Sequence, residues 1–400
     1  MTGTYKYDMA FWDLPEFHCE MIKPLCNEAQ RLSLESRTLY DFKYGDVPFI
    51  APGFTEELAK FLIKEYDDND IKSSTLLPTF GATNALQFVM NRFFDNGDHI
   101  MMEEITYGRA TQFAKMYKMK VHAVSSTGKD DCDVSLTHLE ELLQKYGRDE
   151  SELTEEKPFR GMMFLLPILN NPKGTSFSEE CCRGVVKLAR KYKYLVVTDD
   201  VYQWFQFNDE PKKKRLIYYD KLDRDESGYG NVISNATISK IAFPSIRIGW
   251  LEATTTLVKQ LCLYPHYESS GGMNTFNQNL LMHILRLPSF PAYCEKLKAT
   301  YKKVLAECCE YLRNNLPENV TFRYPDGSAF LWVQLPEKYD ARDLRKLCNE
   351  NDTDMLPGTQ FTLCPEKYRH FFRISVTNGN PETRMESLKR ICEAVKKLVN

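Results

Sequence analysis

The sequence predicts an α/β fold, with a mostly parallel central sheet flanked by helices and joined to a smaller α+β domain. Three observations carry this expectation. Between about residues 75 and 252 short apolar runs alternate with helical patterns, and after about residue 275 long helical patterns are interrupted by a strand pair. The oddest polar residues stand at the C-terminal ends of the apolar runs, where an open parallel sheet binds its ligands. A chain of 400 residues, 43% hydrophobic and 12% aromatic, can bury the core of two domains. We place the larger at 45–275 and the smaller at 1–44 with 276–400.

The elements follow in order. "TFGATNALQFVMNRFF" passes from a side-chain-poor turn at Gly81 into a helix with apolar Leu86, Val89, Met90 and Phe93. Such a turn leaves helix N–H groups open to an anion, or makes an ordinary helix start with Thr83 near the cap. "HIMME" at His99, "VHAVS" at Val121, "GMMFLLP" at Gly161, "YLVVTDD" at Tyr194, "VISNA" at Val232 and "RIGWLEA" at Arg247 read as strands. Between the third and fourth, "SEECCRGVVKLARKYKY" reads as a helix with Ser178 as N-cap and its basic residues late. Further on, "VTFRYPDGSAFLWVQLP" and "FFRISVT" supply the strand pair. "NPETRMESLKRICEAVKKLV" ends the chain as a helix capped by Asn380, with Pro381 at its first position.

Charge and cysteine usage narrow the function classes. A net charge of -3 with both signs interspersed gives no field for nucleic acid or an anionic membrane. The basic cluster Lys212 to Arg215 lies in a polar loop and reads as a solvated turn. Twelve cysteines with no C-x-x-C fit neither a disulfide framework nor a zinc site, so reduced thiols and no metal are expected. No segment approaches the roughly eighteen uninterrupted apolar residues of a membrane span, and a soluble, cytoplasmic protein is the expectation.

The stretch "ATISKIAFPSIRIGW" sets Lys240 and Arg247 among small, hydroxylic and apolar residues, where neither a solvated helix face nor a core strand would carry them. Other polar residues gather at the same predicted edge: Asn170 and Asn171 after "MMFLLPIL", Asp199 and Asp200 after "YLVVT", Tyr107 after "HIMMEEIT", and Ser239 beside Lys240. One kind of ligand uses them together. An aldehyde cofactor with a phosphate tail needs a lysine for a Schiff base, an arginine and helix N–H groups for the phosphate, and a carboxylate to keep a pyridine nitrogen protonated. Lys240, Arg247, Ala82, Thr83 and Asp199 supply that set, which points to pyridoxal phosphate. The G-x-G-x-x-G and G-K-[ST] anchors of dinucleotide and P-loop sites are absent.

With these residues on view, the chain resembles the class I/II aminotransferases of pyridoxal-phosphate fold type I. It is most like the branch that includes 2-aminoadipate and kynurenine aminotransferases and the aminotransferase-like domains of some bacterial transcription regulators. "SKIAFPSIRIGW" is similar to the family's S-K-x-x-x-P-x-x-R-x-G-W. The resemblance implies that Lys240 carries the cofactor and then moves the proton between substrate Cα and cofactor C4′, and that Arg247 binds the phosphate. "TDDVY" implies Asp199 on the pyridine nitrogen and Tyr202 on the ring hydroxyl. "NNPKG" assigns Asn171 to that hydroxyl as well, and "ITYGRA" makes Tyr107 the aromatic plate on the ring. Ser239 and Thr237 join Ala82 and Thr83 around the phosphate.

"YRHFFRISVT" implies that Arg373 forks onto the substrate α-carboxylate, beside Asn171. "FKYGDVPFIAPGFTEELAKFL" implies that Tyr44 reaches the phosphate of a neighbouring subunit, hence a homodimer with shared sites. The implied activity moves an amino group from an L-amino acid, aromatic or dicarboxylic, to a 2-oxo acid. The same groups also suit a lyase or decarboxylase, and a regulatory protein that binds the cofactor without turnover is the alternative of another class. Three departures stand out: Lys173 where the family has threonine, "DGSAF" at Asp326 in place of Gly-Gly, and no G-x-P loop before Tyr44, where "MAFWDLPEFHCEMIKPL" offers Pro15 but no glycine.

Overall fold

The computed structural model describes residues 5–37, 42, 50–127, 131–207, 211–222, 229–269 and 272–399. Its centre is a seven-stranded sheet of β1 Leu76–Thr79, β2 His99–Glu103, β3 Lys120–Val124, β4 Gly161–Leu165, β5 Tyr194–Asp199, β6 Val232–Thr237 and β7 Gly249–Glu252. The spatial order is β1-β7-β6-β5-β4-β2-β3, parallel throughout except for β7, which runs against both of its neighbours. β1 is absent from the expected runs because "LLPT" is short and contains Pro78. An edge strand tolerates that proline, since a missing N–H costs least there.

Strand residues alternate between two apolar clusters on opposite faces of the sheet. Met102, Leu195 and Ile233 enter one; Met101, Val196 and Val232 enter the other. A sheet covered on both faces explains why these strands read as continuous apolar runs. Crossover helices include α1 Ala82–Phe93, α2 Gly108–Met116 and α3 Glu179–Lys191, the last capped by the Ser178 hydroxyl accepting from the Cys181 N–H.

A second, antiparallel sheet holds β8 Thr321–Phe322, β9 Phe330–Gln334, β10 Leu356–Pro357 and β11 Phe371–Ser375 in the order β8-β9-β11-β10. Trp332 lies opposite Arg373 across β9 and β11. The helix Pro381–Val399 starts on Asn380, whose side chain accepts from the Thr383 N–H. One apolar cluster joins Ile22 of the N-terminal helix Glu16–Ser36, Trp250 of β7, Phe330 of β9 and Ile391, so both sheets and the N-terminus share a core. All twelve cysteines are free thiols. Among the described residues no helix is long and apolar enough to cross a membrane, and no group of three or more metal-ligating side chains occurs.

At Arg215 the basic cluster departs from a solvated turn. Arg215 is 3% exposed, ion-paired to Glu252 and Asp68, with its guanidinium 4.0 Å from the Tyr66 ring centroid. Lys213 donates to the carbonyls of Ser176 and Phe177. Arg215 turns inward because the buried carboxylates of Glu252 and Asp68 require a cation, while Lys212 and Lys213 stay exposed as expected of a solvated turn.

Candidate active site

β5 and β6 end side by side and place the first charged groups. Alternation along β5 sends Asp199 to the face that opens on a cavity and Asp200 to the opposite face. β6 ends at Thr237, whose hydroxyl accepts from the Ser239 N–H and caps the short turn that presents Ser239 and Lys240. Arg247 follows in a left-handed conformation, φ 52°, unusual for a side chain of this size. Its guanidinium lies over Gly81, donating to the carbonyls of Phe80 and Pro244, each at 3.1 Å. A Cβ on Gly81 would stand 2.7 Å from Arg247 Nη2, and Gly81 itself has φ 89°, so glycine is required at the turn that opens α1.

Ala82, Thr83, Tyr107, Asn171, Asp199, Tyr202, Thr237, Ser239, Lys240 and Arg247 all line one cavity of about 150 Å³. The start of α1, with N–H groups that no side chain caps, lines this cavity together with Thr237, Ser239 and Arg247, a donor set suited to an anion. Asn235, which the sequence did not mark, lines it too, donating to the Ala82 carbonyl at 2.9 Å. It sits inside an apolar strand run, so no end or turn signal exposed it. Tyr44 lies outside the described residues.

The electrostatics of the cavity are set by burial. Asp199 Oδ1 is buried and has no hydrogen-bond partner, and burial followed by the neighbouring Asp200 charge pushes the carboxyl up to about 7. Lys240 is pushed down to about 7 by burial, with Arg373 and Arg247 adding and Asp199 opposing. Burial holds the Tyr202 phenol protonated and raises Tyr107 as well.

Arg373, on β11, is 4% exposed and meets the site from the second sheet. Its Nη1 donates to Asn171 Oδ1 at 2.8 Å and its Nη2 to the Ala10 carbonyl, while Nε has no partner. Phe330 and Phe361 flank it at 4.1 and 4.5 Å, and burial pushes it down to about 10. No carboxylate among the described residues pairs with it. A buried, unpaired guanidinium of this kind awaits an anionic ligand.

Lys173 is turned away from the cavity. Its Nζ donates to the Asp131 carbonyl at 2.7 Å and stands 3.9 Å from Glu103 Oε2. Glu103, at the end of β2, also accepts from the Leu166 N–H and from Asn170, and burial pushes it up to about 7. No local pattern marks Glu103 in the sequence, because its partners lie more than sixty residues away. Their pairing explains how a lysine stands where the family has threonine.

The family model for "Aminotransferase class I and II" matches residues 27–391. The chain belongs to that family. Aromatic-amino-acid aminotransferase 1 of Thermococcus litoralis is 26% identical over 95% of this chain and 85% of its own length. The mitochondrial kynurenine/alpha-aminoadipate aminotransferase of Bos taurus is 26% identical over 80% and 73%. Among solved structures, the kynurenine aminotransferase of Pyrococcus horikoshii shares the fold, with a TM-score of 0.82 at 24% identity over 100% of this chain and 92% of that one.

The protein is therefore a pyridoxal-phosphate-dependent aminotransferase. Its residues fit the cofactor. An orphaned carboxylate oxygen suits a pyridine N–H, a lysine of lowered basicity suits an aldehyde, and the cradle at Gly81 and Arg247 suits a phosphate.

Proposed function

We propose that Lys240 holds the cofactor covalently and then carries the proton between the substrate's Cα and the cofactor. Asp199 would hold the ring nitrogen, Tyr107 would support the ring, and Asn171 and Tyr202 would serve the ring hydroxyl. Ala82, Thr83, Thr237, Ser239 and Arg247 hold the phosphate. Arg373, with Asn171, takes the donor's α-carboxylate. The observation that carries this reading is that Lys240 and the unpartnered Asp199 Oδ1 line one cavity together with Asn171, to which Arg373, paired with no carboxylate among the described residues, donates a hydrogen bond.

Pyridoxal phosphate, when bound, supplies an electrophilic carbon for the donor amine and a ring that accepts electrons. The chain's own residues do the rest. Lys240, at about 7, is poised both to take and to return a proton at neutral pH. Asp199 gains a cationic N–H partner, which favours its charged form and keeps the ring nitrogen protonated. Arg373 orients the donor through a bidentate grip that a lysine cannot provide. The buried rings of Tyr202 and Phe330 exclude water behind it.

We further infer a homodimer with Tyr44 serving the neighbouring site, supported by the resemblance alone, and a cytoplasmic location, supported by the cysteine usage and hydropathy of the sequence. The division into 45–275 and 1–44 with 276–400 rests on the change of sequence pattern near residue 275. The donor falls among aromatic or dicarboxylic amino acids, as the names of the relatives suggest.

The test is the visible spectrum of the purified protein against a panel of amino acids. Transamination replaces the cofactor's band with that of its amine form and releases one equivalent of 2-oxo acid. Release of carbon dioxide or an eliminated side chain without the amine form would favour decarboxylase or lyase chemistry instead.

A further inference from the structure

The stretch from Met9 to Pro15 joins two anchored points. At one end Tyr7–Asp8 pairs with Thr353–Asp354, the Ser375 N–H donates to the Met9 carbonyl, and Asn378 ties Asp8 and Asp13. At the other, the helix Glu16–Ser36 carries His18, fully buried, with its Nε2 on the carbonyl of Ile241 and its Nδ1 on the Tyr301 hydroxyl. The strap is thus fastened to the strand that bears Arg373 and to the residue after Lys240. It crosses the site between them.

Two of its groups touch those two residues. The Ala10 carbonyl accepts from Arg373 Nη2, and Lys240 Nζ lies 3.6 Å from the centroid of the Trp12 ring. If Lys240 and Arg373 act as proposed above, these contacts occupy the places of a donor's carboxylate and amine. The Trp12 indole N–H is buried here without an acceptor, and so is Arg373 Nε. Both lose hydrogen bonding in this arrangement, and a ligand that moves the strap restores it.

The rest of the wall is aromatic, with Phe330 and Phe361 on Arg373 and Tyr107 and Tyr202 near Lys240. Among the described residues Arg247 is the only other cation that lines the cavity, and the nearby Lys173 is turned away from it. Lys173 is held by Glu103 and Asp131, and Arg247 by the phosphate cradle. A second carboxylate on the donor finds no counter-charge here, whereas an aromatic side chain finds stacking partners.

We propose that Trp12 determines donor specificity: the donor's α-carboxylate replaces the Ala10 carbonyl on Arg373, and the displaced indole becomes the wall against which an aromatic or large apolar side chain packs. The experiment uses holoprotein and carboxylates that have no amino group, 3-phenylpropionate and glutarate. Binding is read from the cofactor's visible band and from tryptophan emission. In wild type 3-phenylpropionate binds more tightly. Trp12→Ala weakens it by about tenfold while leaving glutarate within about threefold, and Trp12→Phe restores most of the loss. Equal weakening of both ligands, no change in either, or a wild-type preference for glutarate overturns the proposal. Because nothing reacts, this outcome is separate from turnover; absence of transamination with every amino acid would instead count against the functional reading.

Discussion

At the end of β5 two consecutive carboxylates point to opposite faces of one sheet. Behind it, Asp200 accepts from the hydroxyls of Thr198 and Ser234 through Oδ2. Around it Arg215 and Lys221 neutralise Glu252 and Asp68. Asp200 Oδ1 lacks a hydrogen bond, and burial raises the carboxyl above its ordinary value, with the Arg215 charge and the two hydroxyls opposing that rise. In front, Asp199, Lys240 and Arg373 have no opposite charge in hydrogen-bond contact. Burial is similar on the two sides. What separates them is pairing: compensated charges hold the sheet to its helices, and uncompensated ones are arranged for a ligand.

The largest effect expected is at Lys240. Lys240→Ala lowers transamination by about 10⁴-fold or more while the protein stays folded, because the ammonium removed contacts only the Trp12 and Tyr202 rings and pairs with no carboxylate among the described residues. Unfolding of this variant would break the comparison. Arg215→Met should do the reverse, costing about 3 kcal/mol of stability by leaving the buried Glu252 and Asp68 to share Lys221 alone, as read from denaturant unfolding.

Asp199→Asn sharpens the contrast because it lowers activity and raises stability together. Activity falls by about 10²-fold or more. In the cofactor-free protein the folded carboxyl titrates near 7 against 3.8 in the unfolded chain, so the native state binds the extra proton between these values and wild type loses stability as pH rises through them. The asparagine variant escapes that loss. Its melting temperature exceeds wild type by roughly 2–4 °C above pH 7, and the gain disappears below about pH 4. Lys240 has the opposite sign, since its lowered value makes its burial cost fade as pH rises above about 7.

The smallest effect belongs to Lys173, whose partner Glu103 can take up a proton. Lys173→Thr should cost about 2 kcal/mol near neutral pH, less at pH 5.5 and more at pH 8, because Glu103 left alone is tolerated only when protonated. Adding Glu103→Gln should recover most of the loss.

Much of the front face was legible in the sequence. Strand ends announce themselves through polar residues after apolar runs, and Lys240 and Arg247 sit seven residues apart in a setting that offers them no structural use. The back face and the strap were not legible, for a common reason. Arg215 reads as a solvated turn until Glu252 and Asp68 are placed beside it. Ala10 meets Arg373 across 363 residues of sequence, and Trp12 meets Lys240 only once the N-terminal strap has packed across the end of β6. Pairing partners distant in sequence leave no local periodicity or spacing to read. Local signals found the ligand's side of the sheet, and only packing reveals its compensated side.

The central claim is that Lys240 forms the covalent link to the cofactor. Reduction of the holoprotein with borohydride, followed by proteolysis and mass spectrometry, tests it directly. The account predicts one pyridoxyl-phosphate adduct per chain, on the peptide containing Lys240. An adduct on another lysine, or complete release of unmodified cofactor, would contradict it.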